Sequence, residues 1–318
     1  MVPHELLERI RKNDSFLLVA HIGLDGDHLG SMLAMHHALE QMGKRVHSYL
    51  PESVPDSFDF LIGLDKLSAT LPDEQFDCVV TLECPSRNRL PKGFDMRRHG
   101  REVLNLDHHP DNEMYGDFNW VVADAAALGE MMLDLLEALG VKLDRSMAIA
   151  IYVAILTDTG SFQYSRVTPS THERLAKLLQ FDVPTDLIAR QVYRQSRPEV
   201  LRLLGRVLAE VKVKDGVAWG EISTGDLAHF NVRPEETQFF VDDVDRVRDA
   251  DVVALFRETE NGQVKVSLRS RHWPINQVAA QFGGGGHAKA AGCVVSGSLQ
   301  ETRERVVSAV QEALKQHH

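Results

Sequence analysis

The chain has 318 residues, of which 43% are hydrophobic and 25% are charged, and its formal net charge is −11. The composition is that of a globular protein, and the length favours two domains. The acidic balance argues against a broad surface for long nucleic acid, although a local cluster of cations can still attract a small phosphorylated ligand. Apolar runs are too short for a membrane helix and the three cysteines too few for a disulfide framework, so a reduced, cytoplasmic protein without a membrane partner is expected.

Predicted strands alternate with predicted helices in the first half of the chain. Strands are expected near 16–21, 45–50, 76–83 and 103–106, and helices near 3–12, 27–42, 125–139 and 146–156. This alternation predicts an α/β domain, a parallel sheet with helices on both faces. Ligands of such sheets bind outside the carboxyl ends of the strands.

The pattern changes in the second half of the chain. After predicted helices at 171–180 and 186–195, the charged stretch 194–202, interrupted by Pro198, resembles an interdomain connector. Beyond it, strands are predicted at 207–213, 217–222, 252–258 and 263–268, with hairpin turns at 215–216 and 261–262 and a closing helix at 302–314. We therefore predict domains at 1–190 and 206–318, joined by a connector at 191–205, the second being a smaller α/β domain.

Four apolar segments of the first half end in side chains that bind hard metal ions. In chain order these side chains are His21 with Asp25 and Asp27, Glu83, Asp107 with His108 and His109, and Asp158. Charged groups packed against a sheet must be paired or bound to metal. The pattern predicts a metal site at the carboxyl edge of the sheet.

Each of these signals has a simpler alternative when it is taken alone. Asp27 can merely cap the helix that follows it, and the two histidines can belong to an ordinary surface turn. Asp158 ends a predicted helix, where an acid opposes the helix dipole. That placement is easier to explain if a cation neutralises the carboxylate.

A run of four glycines ending at His287 is the strongest signal of the second domain. Consecutive glycines let backbone N–H groups approach an anion, and the imidazole can donate to phosphate. Upstream, Arg269 and Arg271 lie on one side of a predicted strand, where guanidinium groups grip phosphates. A flexible linker and ion pairs with nearby acids are the alternatives. The predicted substrate-binding residues are Arg269, Arg271, Gly284, Gly285, Gly286 and His287.

Together these motifs resemble the DHH phosphoesterase superfamily, and within it the nanoRNase/pAp-phosphatase branch, over nearly the whole chain. The acids and imidazoles of the first half match four ordered motifs, and the glycine run with Arg269 resembles the DHH-associated C-terminal domain. The resemblance implies a metal-binding catalytic domain followed by a substrate-binding domain. One departure stands out, because Glu83 occupies the place of an aspartate that normally bridges two metals.

The resemblance also implies roles for the individual residues. One divalent cation would be held by His21, Asp25 and Glu83, and a second by Asp27, Glu83, His108 and Asp158. Asp107 would orient the imidazoles, and His109 would face the scissile phosphate. Mixed carboxylate and imidazole ligands suit Mn²⁺ better than Mg²⁺, although both are hard enough for the site.

The implied activity is hydrolysis of very short oligoribonucleotides such as pApA to mononucleotides, with 3′-dephosphorylation of pAp as a second activity. A pyrophosphatase is not expected to carry the glycine run, a RecJ-type exonuclease would be longer, and a cyclic-dinucleotide phosphodiesterase would usually add membrane segments. The alternative from another class is a catalytically weak nucleotide-binding protein, disabled by Glu83. The oligomeric state, including a homodimer, stays open.

Overall fold

The computed structural model describes residues 1–317. The chain divides into two compact units, the first from Met1 to Arg194 and the second beginning at Gln195. None of the helices within the described residues is both long and apolar enough to cross a membrane.

The first unit is built on one fully parallel sheet. Its strands are β1 (Ser15–Ala20), β2 (Arg45–Tyr49), β3 (Leu67–Ser68), β4 (Phe76–Leu82), β5 (Gly100–Asp107) and β6 (Phe118–Val121). They are arranged in the order β3-β2-β1-β4-β5-β6, and each neighbouring pair is parallel. The order reverses between β1 and β4, and the crevice at such a switch point is where α/β sheets bind ligands.

Seven helices accompany this sheet. They are α1 (His4–Lys12), α2 (Gly26–Gln41), α3 (Met96–His99), α4 (Leu128–Leu139), α5 (Arg145–Asp158), α6 (Pro169–Leu178) and α7 (Thr185–Tyr193). The α/β class predicted from the sequence is confirmed. One face of the sheet, which carries Leu17, Val19 and Phe76, packs against Leu71, Leu90 and Phe94 and the start of α3.

Helices α2 and α5 are buried on nearly all sides and pack closely against each other. A Cβ atom at Gly26 would overlap the side chain of Thr157, and one at Gly30 would overlap the backbone carbonyl of Ala150. The two glycines therefore allow a close approach that a larger residue would prevent. This packing brings the first turn of α2 beside the last turn of α5, which ends at Asp158.

The second unit contains a mixed sheet with helices on both sides of it. Its strands are β7 (Lys212–Lys214), β8 (Val217–Ile222), β9 (Val252–Glu258), β10 (Gln263–Ser270), β11 (Gly285–His287) and β12 (Ala290–Ser296), in the order β11-β12-β10-β9-β8-β7. Only β8 and β9 are parallel among these paired strands. Its helices are α8 (Pro198–Ala209), α9 (Thr224–Phe230), α10 (Phe240–Val244), α11 (Asn276–Gln281) and α12 (Leu299–His317).

Both hairpin predictions are confirmed. Asp215 and Gly216 adopt φ values of 48° and 77° between the antiparallel strands β7 and β8. Gly262, with φ of 67°, belongs to the turn between β9 and β10. Positive φ at these positions matches the twist that hairpins require.

The predicted strand at 207–213 is wrong in its first half, because α8 continues through Ala209 and β7 begins only at Lys212. Val200, Leu203 and Val207 are buried at helical spacing, so α8 packs one apolar face into the core. Pro198 occupies the first turn of this helix, where its missing N–H costs nothing. Residues 198–205 of the predicted connector are therefore helical.

The second unit contains an ion pair that fixes the entry to α8. Arg197 donates from Nε and Nη2 to the two carboxylate oxygens of Glu236 at 2.9 and 2.8 Å, and the side chain of Glu236 is 15% exposed. The hydrogen bond from Arg197 lowers the pKa of Glu236 from 4.5 to about 2, against the opposing effect of burial. A carboxylate whose pKa is lower in the folded state stabilises the protein above its unfolded pKa and loses that effect as pH falls.

We expect Glu236→Gln to lower the free energy of unfolding by about 1–2 kcal/mol at neutral pH, after allowance for solvent screening of the pair. Urea unfolding at several pH values, followed by circular dichroism, measures this difference. It should shrink as pH falls from about 5 toward 3, because the wild-type carboxylate then begins to lose its advantage. Glu260→Gln, at an exposed acid of the same unit, is the matched control and should be close to neutral. A pH-independent loss would contradict the assigned role of the ion pair.

Candidate metal centre

The carboxyl ends of three neighbouring strands form the floor of the site. Ala20 pairs with Leu82, and Leu82 pairs with Leu106, so the residues that follow these positions lie at one edge of the sheet. The three residues are His21, Glu83 and Asp107, with relative exposures of 2%, 2% and 0%. Buried acids and imidazoles at the switch point of a parallel sheet are the arrangement that the sequence predicted.

Asp25 and Asp27 have different structural roles at the start of α2. Asp25 is the N-cap, and its carboxylate accepts the backbone N–H of His28 at 2.9 Å. Asp27 accepts the backbone N–H groups of Leu128 and Gly129, at 2.5 and 2.8 Å, from the first residues of α4. The capping alternative for Asp27 is therefore wrong for its own helix, since Asp25 fills that position. The N-terminus of a distant helix instead fixes the Asp27 carboxylate.

Three carboxylate side chains converge around His108. Atoms of Asp27, Glu83, His108 and Asp158 lie within 4.8 Å of one another. Nε2 of His108 lies 3.4 Å from Asp158, 3.7 Å from Asp27 and 3.9 Å from Glu83. Nδ1 of His108 lies 3.1 Å from the carbonyl oxygen of Ala125. When the Nδ1–H group donates a hydrogen bond to this oxygen, the lone pair of Nε2 is directed at the carboxylates.

Another group of ligand atoms surrounds His21. Its Nε2 lies 3.5 Å from Oδ2 of Asp25 and 3.9 Å from Oε2 of Glu83. Its Nδ1 lies 2.8 Å from the carbonyl oxygen of Ile22. In the tautomer whose Nδ1–H donates a hydrogen bond to this carbonyl, the lone pair of Nε2 is directed at the two carboxylates. A hydrogen bond from Arg89 to Nδ1 belongs to the other tautomer.

Glu83 connects the two groups. Its Oε2 faces His21 and its Oε1 faces His108, at 3.9 Å in both cases. Its backbone is left-handed, with φ of 53°, and its N–H donates to the carbonyl of Leu106 at 3.0 Å. A non-glycine residue in this region costs of order 1–3 kcal/mol and is concentrated at functional sites. The turned backbone accommodates the longer side chain and leaves one carboxylate oxygen in each group.

The electrostatics of the cluster favour a bound cation. Burial raises the pKa of Glu83 well above its usual range, and the charges of Asp25 and Asp27 raise it further. Burial and the charge of Asp27 likewise raise the pKa of Asp158 well above its usual range. Burial lowers the pKa of His108 to about 3, which keeps the imidazole neutral. Crowded carboxylates beside the neutral imidazole of His108 fit a divalent cation, which would offset their mutual repulsion and accept the Nε2 lone pair.

Several of the candidate ligand atoms make no hydrogen bond to any described residue. Within residues 1–317, no hydrogen bond is made by Nε2 of His21, Oε2 of Glu83 or Oδ2 of Asp158, although all three atoms are buried. Buried polar atoms are normally satisfied, because leaving one unpaired costs free energy. The residues present therefore fit a divalent metal centre.

Asp107 organises the turn that carries both histidines. Its Oδ1 accepts the backbone N–H groups of His108 and His109 at 2.8 and 3.2 Å, and Nδ1 of His109 lies 2.8 Å from the same oxygen. Asn112 donates to Oδ2 at 2.5 Å. Burial opposes ionisation, but the hydrogen bonds from His109 and Asn112 hold the pKa of Asp107 below its usual range. With both histidines buried, the surface-turn alternative is wrong.

Three polar residues near these groups were not predicted from the sequence. Nη2 of Arg89 lies 2.9 Å from Nδ1 of His21, and Nη2 of Arg166 lies 3.6 Å from Oδ2 of Asp158. The third is His28, in the first turn of α2. Both arginines belong to irregular or short segments whose place in the fold has no periodic signal, so nothing in the local sequence indicates their neighbours.

The glycine run of the second unit is ordered. Gly285–His287 forms β11, which pairs with β12 in the register Gly286↔Ala291. A Cβ atom at Gly284 would overlap the carbonyl oxygen of Gly292 and the Cβ of Cys293. The linker alternative is therefore wrong, and at least one glycine of the run is required by close backbone packing.

The two predicted phosphate-binding arginines have different surroundings. Arg269 donates from Nε to Asp242 at 2.9 Å and from Nη1 to the carbonyl of Leu268 at 3.2 Å. Arg271 donates to the backbone carbonyls of Arg248, Asp245 and Val247 at 2.7, 3.0 and 2.5 Å. These three hydrogen bonds give Arg271 a structural role, because its guanidinium group holds together the backbone that follows α10. To bind a phosphate, Arg271 would have to release these backbone carbonyls.

Comparison with known proteins gives the class to which this arrangement belongs. The DHH family, N-terminal domain, matches residues 15–155, and the DHHA1 domain matches residues 215–316. A Thermus thermophilus protein named bifunctional oligoribonuclease and PAP phosphatase NrnA is 33% identical over 307 residues, which cover 93% of this chain and 89% of that protein. The chain belongs to the DHH family of phosphoesterases. Within that family it belongs to the nanoRNase branch.

Solved structures agree with this fold. An exopolyphosphatase-related protein from Bacteroides fragilis superposes with a TM-score of 0.86 at 25% identity, covering 98% of this chain and 95% of that one. RecJ from Thermus thermophilus, solved in complex with Mn²⁺, superposes with a TM-score of 0.52 at 15% identity, covering 97% of this chain and 53% of RecJ. The chain thus shares its fold with both of these structures.

We expect Gly284→Ala to destabilise the second unit by roughly 1–3 kcal/mol, because the added methyl group overlaps backbone and forces β11 away from β12. Thermal unfolding followed by circular dichroism measures the loss. Gly205→Ala is the matched control: within the described chain no atom lies within 4 Å of a Cβ built there. In the helical position of Gly205 the same substitution should be neutral or stabilising, by up to about 1 kcal/mol. Equal effects at both positions would show that β11 does not need the glycine.

Proposed function

We propose that this protein is a metal-dependent phosphodiesterase that hydrolyses very short oligoribonucleotides, such as pApA, to mononucleotides and also removes the 3′-phosphate from pAp. The observation that carries the proposal is the position of the Glu83 carboxylate, with one oxygen in each of two ligand groups. Two cations joined by one carboxylate are the form of site that phosphoester hydrolysis uses. The names of the T. thermophilus relative supply the substrate class.

The proposed ligands of the two cations correspond to the two groups of atoms at the site. One cation would be held by His21, Asp25 and Glu83, and the other by the cluster of Asp27, Glu83, His108 and Asp158. Mixed nitrogen and oxygen donors favour Mn²⁺, with Mg²⁺ as the weaker alternative. The binding of Mn²⁺ by RecJ, which has the same fold, supports this choice.

The residues around the metals would divide the work of catalysis. When bound, two divalent cations supply positive charge for the phosphoryl oxygens and activate water near neutral pH. Asp107 accepts the Nδ1 proton of His109, so Nε2 is the atom of His109 that can hold or pass a proton at the scissile phosphate. Asn112 and two backbone N–H groups hold Asp107 itself in place. No side chain needs to form a covalent bond to phosphorus.

The second unit would bind the nucleotide. Arg269 would exchange its ion pair with Asp242 for a substrate phosphate, and the backbone N–H groups of Gly285 and Gly286, with His287, would contact the same anion. The N–H of Gly284 donates to the carbonyl oxygen of Ala279 at 2.9 Å, so Gly284 would contribute through its close backbone packing instead. The net charge of −11 supports a short substrate, because a long RNA would be repelled beyond the site.

The alternative of a nucleotide-binding protein without turnover depends on a misplaced Glu83. Its left-handed backbone and the equal distances from its two oxygens to His21 and His108 favour a working bridge instead. Assays of hydrolysis and of nucleotide binding distinguish this alternative from the proposed enzyme.

We expect hydrolysis of pApA and pAp with Mn²⁺, and less than about 1% of that rate after dialysis against EDTA, because the metals carry the charge stabilisation. Chromatography of the products measures both reactions. A 24-nucleotide RNA is the substrate control and should be hydrolysed with a much lower kcat/KM. Full activity in EDTA would exclude the two-metal mechanism, and equal kcat/KM for the 24-mer would indicate a processive exonuclease.

We expect Glu83→Ala to abolish hydrolysis and to weaken Mn²⁺ binding, because each cation would lose a ligand. Glu83→Asp should retain activity or raise it, since the shorter acid is the usual bridging residue of the family. Glu113→Ala, at an exposed acid, serves as the matched control for loss of one carboxylate. Wild-type turnover that survives Glu83→Ala would mean that another residue bridges the metals. A wild type that binds nucleotide without hydrolysing it would favour the non-enzymatic alternative.

A further inference from the structure

His28 is a buried imidazole beside the metal centre to which no role has been assigned. It lies in the first turn of α2, and only 1% of its surface is exposed. Within residues 1–317, neither Nδ1 nor Nε2 of His28 makes a hydrogen bond. An imidazole with two unsatisfied buried nitrogens loses the hydration of both without compensation, so the position needs a physical explanation.

His28 lies close to the ligand group that contains His21 and Asp25. One ligand atom each of His21, Asp25 and His28 can be chosen so that all three lie within 4.8 Å of one another. The rings of His21 and His28 are 5.1 Å apart and inclined at 64°. The backbone N–H of His28 is held by Asp25, so the same carboxylate fixes the turn and faces the ring.

The simpler explanation is a structural histidine of the helix core. His36, which lies on the same helix and is 3% exposed, shows what that role looks like here. Its Nδ1 lies 2.8 Å from the hydroxyl oxygen of Ser48, so the ring is used in a hydrogen bond. His28 has no such contact among the described residues, so neither of its ring nitrogens is used in a hydrogen bond there. A nitrogen lone pair of the ring can therefore be offered to a ligand.

We propose that His28 is an additional ligand of the first cation, with His21, Asp25 and Glu83. This inference rests on the metal centre of the proposed function. Two imidazoles at one ion make that site richer in nitrogen than the other, whose four residues include a single histidine. Nitrogen-rich sites favour Mn²⁺, Co²⁺ and Zn²⁺ over Mg²⁺. The first site is therefore selective for a transition metal, and the second is the one that tolerates Mg²⁺.

The test compares metal binding in the full chain of the wild type, His28→Ala and His28→Asn, with His36→Ala as the matched control. Calorimetric titration gives the dissociation constant for each Mn²⁺ ion, with and without competing Mg²⁺. Pulsed EPR after one equivalent of Mn²⁺ counts the imidazole nitrogens coupled to the metal. Circular dichroism in EDTA verifies that each variant is folded, and His28→Asn preserves a polar side chain if alanine at this position prevents folding.

We expect both His28 variants to raise the dissociation constant of the tighter Mn²⁺ ion at least about tenfold, since even loss of a residue that only orients a ligand has an effect of this size. They should also lose one coupled nitrogen and part of the preference for Mn²⁺ over Mg²⁺, while His36→Ala leaves all three quantities unchanged. Unchanged affinity and nitrogen count in folded His28 variants would overturn the inference and leave the proposed function intact. A wild type that binds no Mn²⁺ would overturn both.

Discussion

The mutual repulsion of buried carboxylates at the switch point of the sheet is the constraint on which the rest of the structure depends. Asp27, Glu83 and Asp158 are brought to one point beside His108, and burial raises the pKa of Glu83 and Asp158 well above their usual range. Gathering these acids in the interior therefore has an electrostatic cost, which a divalent cation bound among them would offset.

Secondary structure and helix packing supply the geometry that this constraint requires. Gly26 and Gly30 let α2 and α5 approach closely enough to place Asp27 beside the end of α5. The N-terminus of α4 then fixes the Asp27 carboxylate, and the left-handed turn at Glu83 directs one oxygen to each side. Each device is local, but together they hold ligands from four segments within a few ångströms of one another.

Much of the fold and of the site was predictable because its signals are local. The strands β8 and β9 have the predicted bounds, both hairpin turns are where the Asp-Gly and Asn-Gly pairs indicated, and the strand-end pattern of acids and imidazoles led to the right edge of the sheet. The first half of the predicted strand at 207–213 was wrong because Val207 continues the buried face of α8, in which Val200, Leu203 and Val207 follow one another at the helical spacing of three and four residues. The three carbonyl partners of Arg271 could not be predicted either, since nothing in the local sequence indicates the backbone that follows α10 as its neighbour.

The sequence by itself determined the class of fold and indicated which acids and imidazoles end the apolar segments, because periodicity, turn chemistry and residue type are properties of short segments. The tertiary structure alone decided which of these side chains lie together, that Asp25 rather than Asp27 caps α2, and that His28 lies beside His21 without a hydrogen bond in the described chain. These features depend on contacts between residues far apart in sequence, such as Asp27 with Leu128 and His108 with Asp158. Packing sets those distances, and no local pattern encodes them.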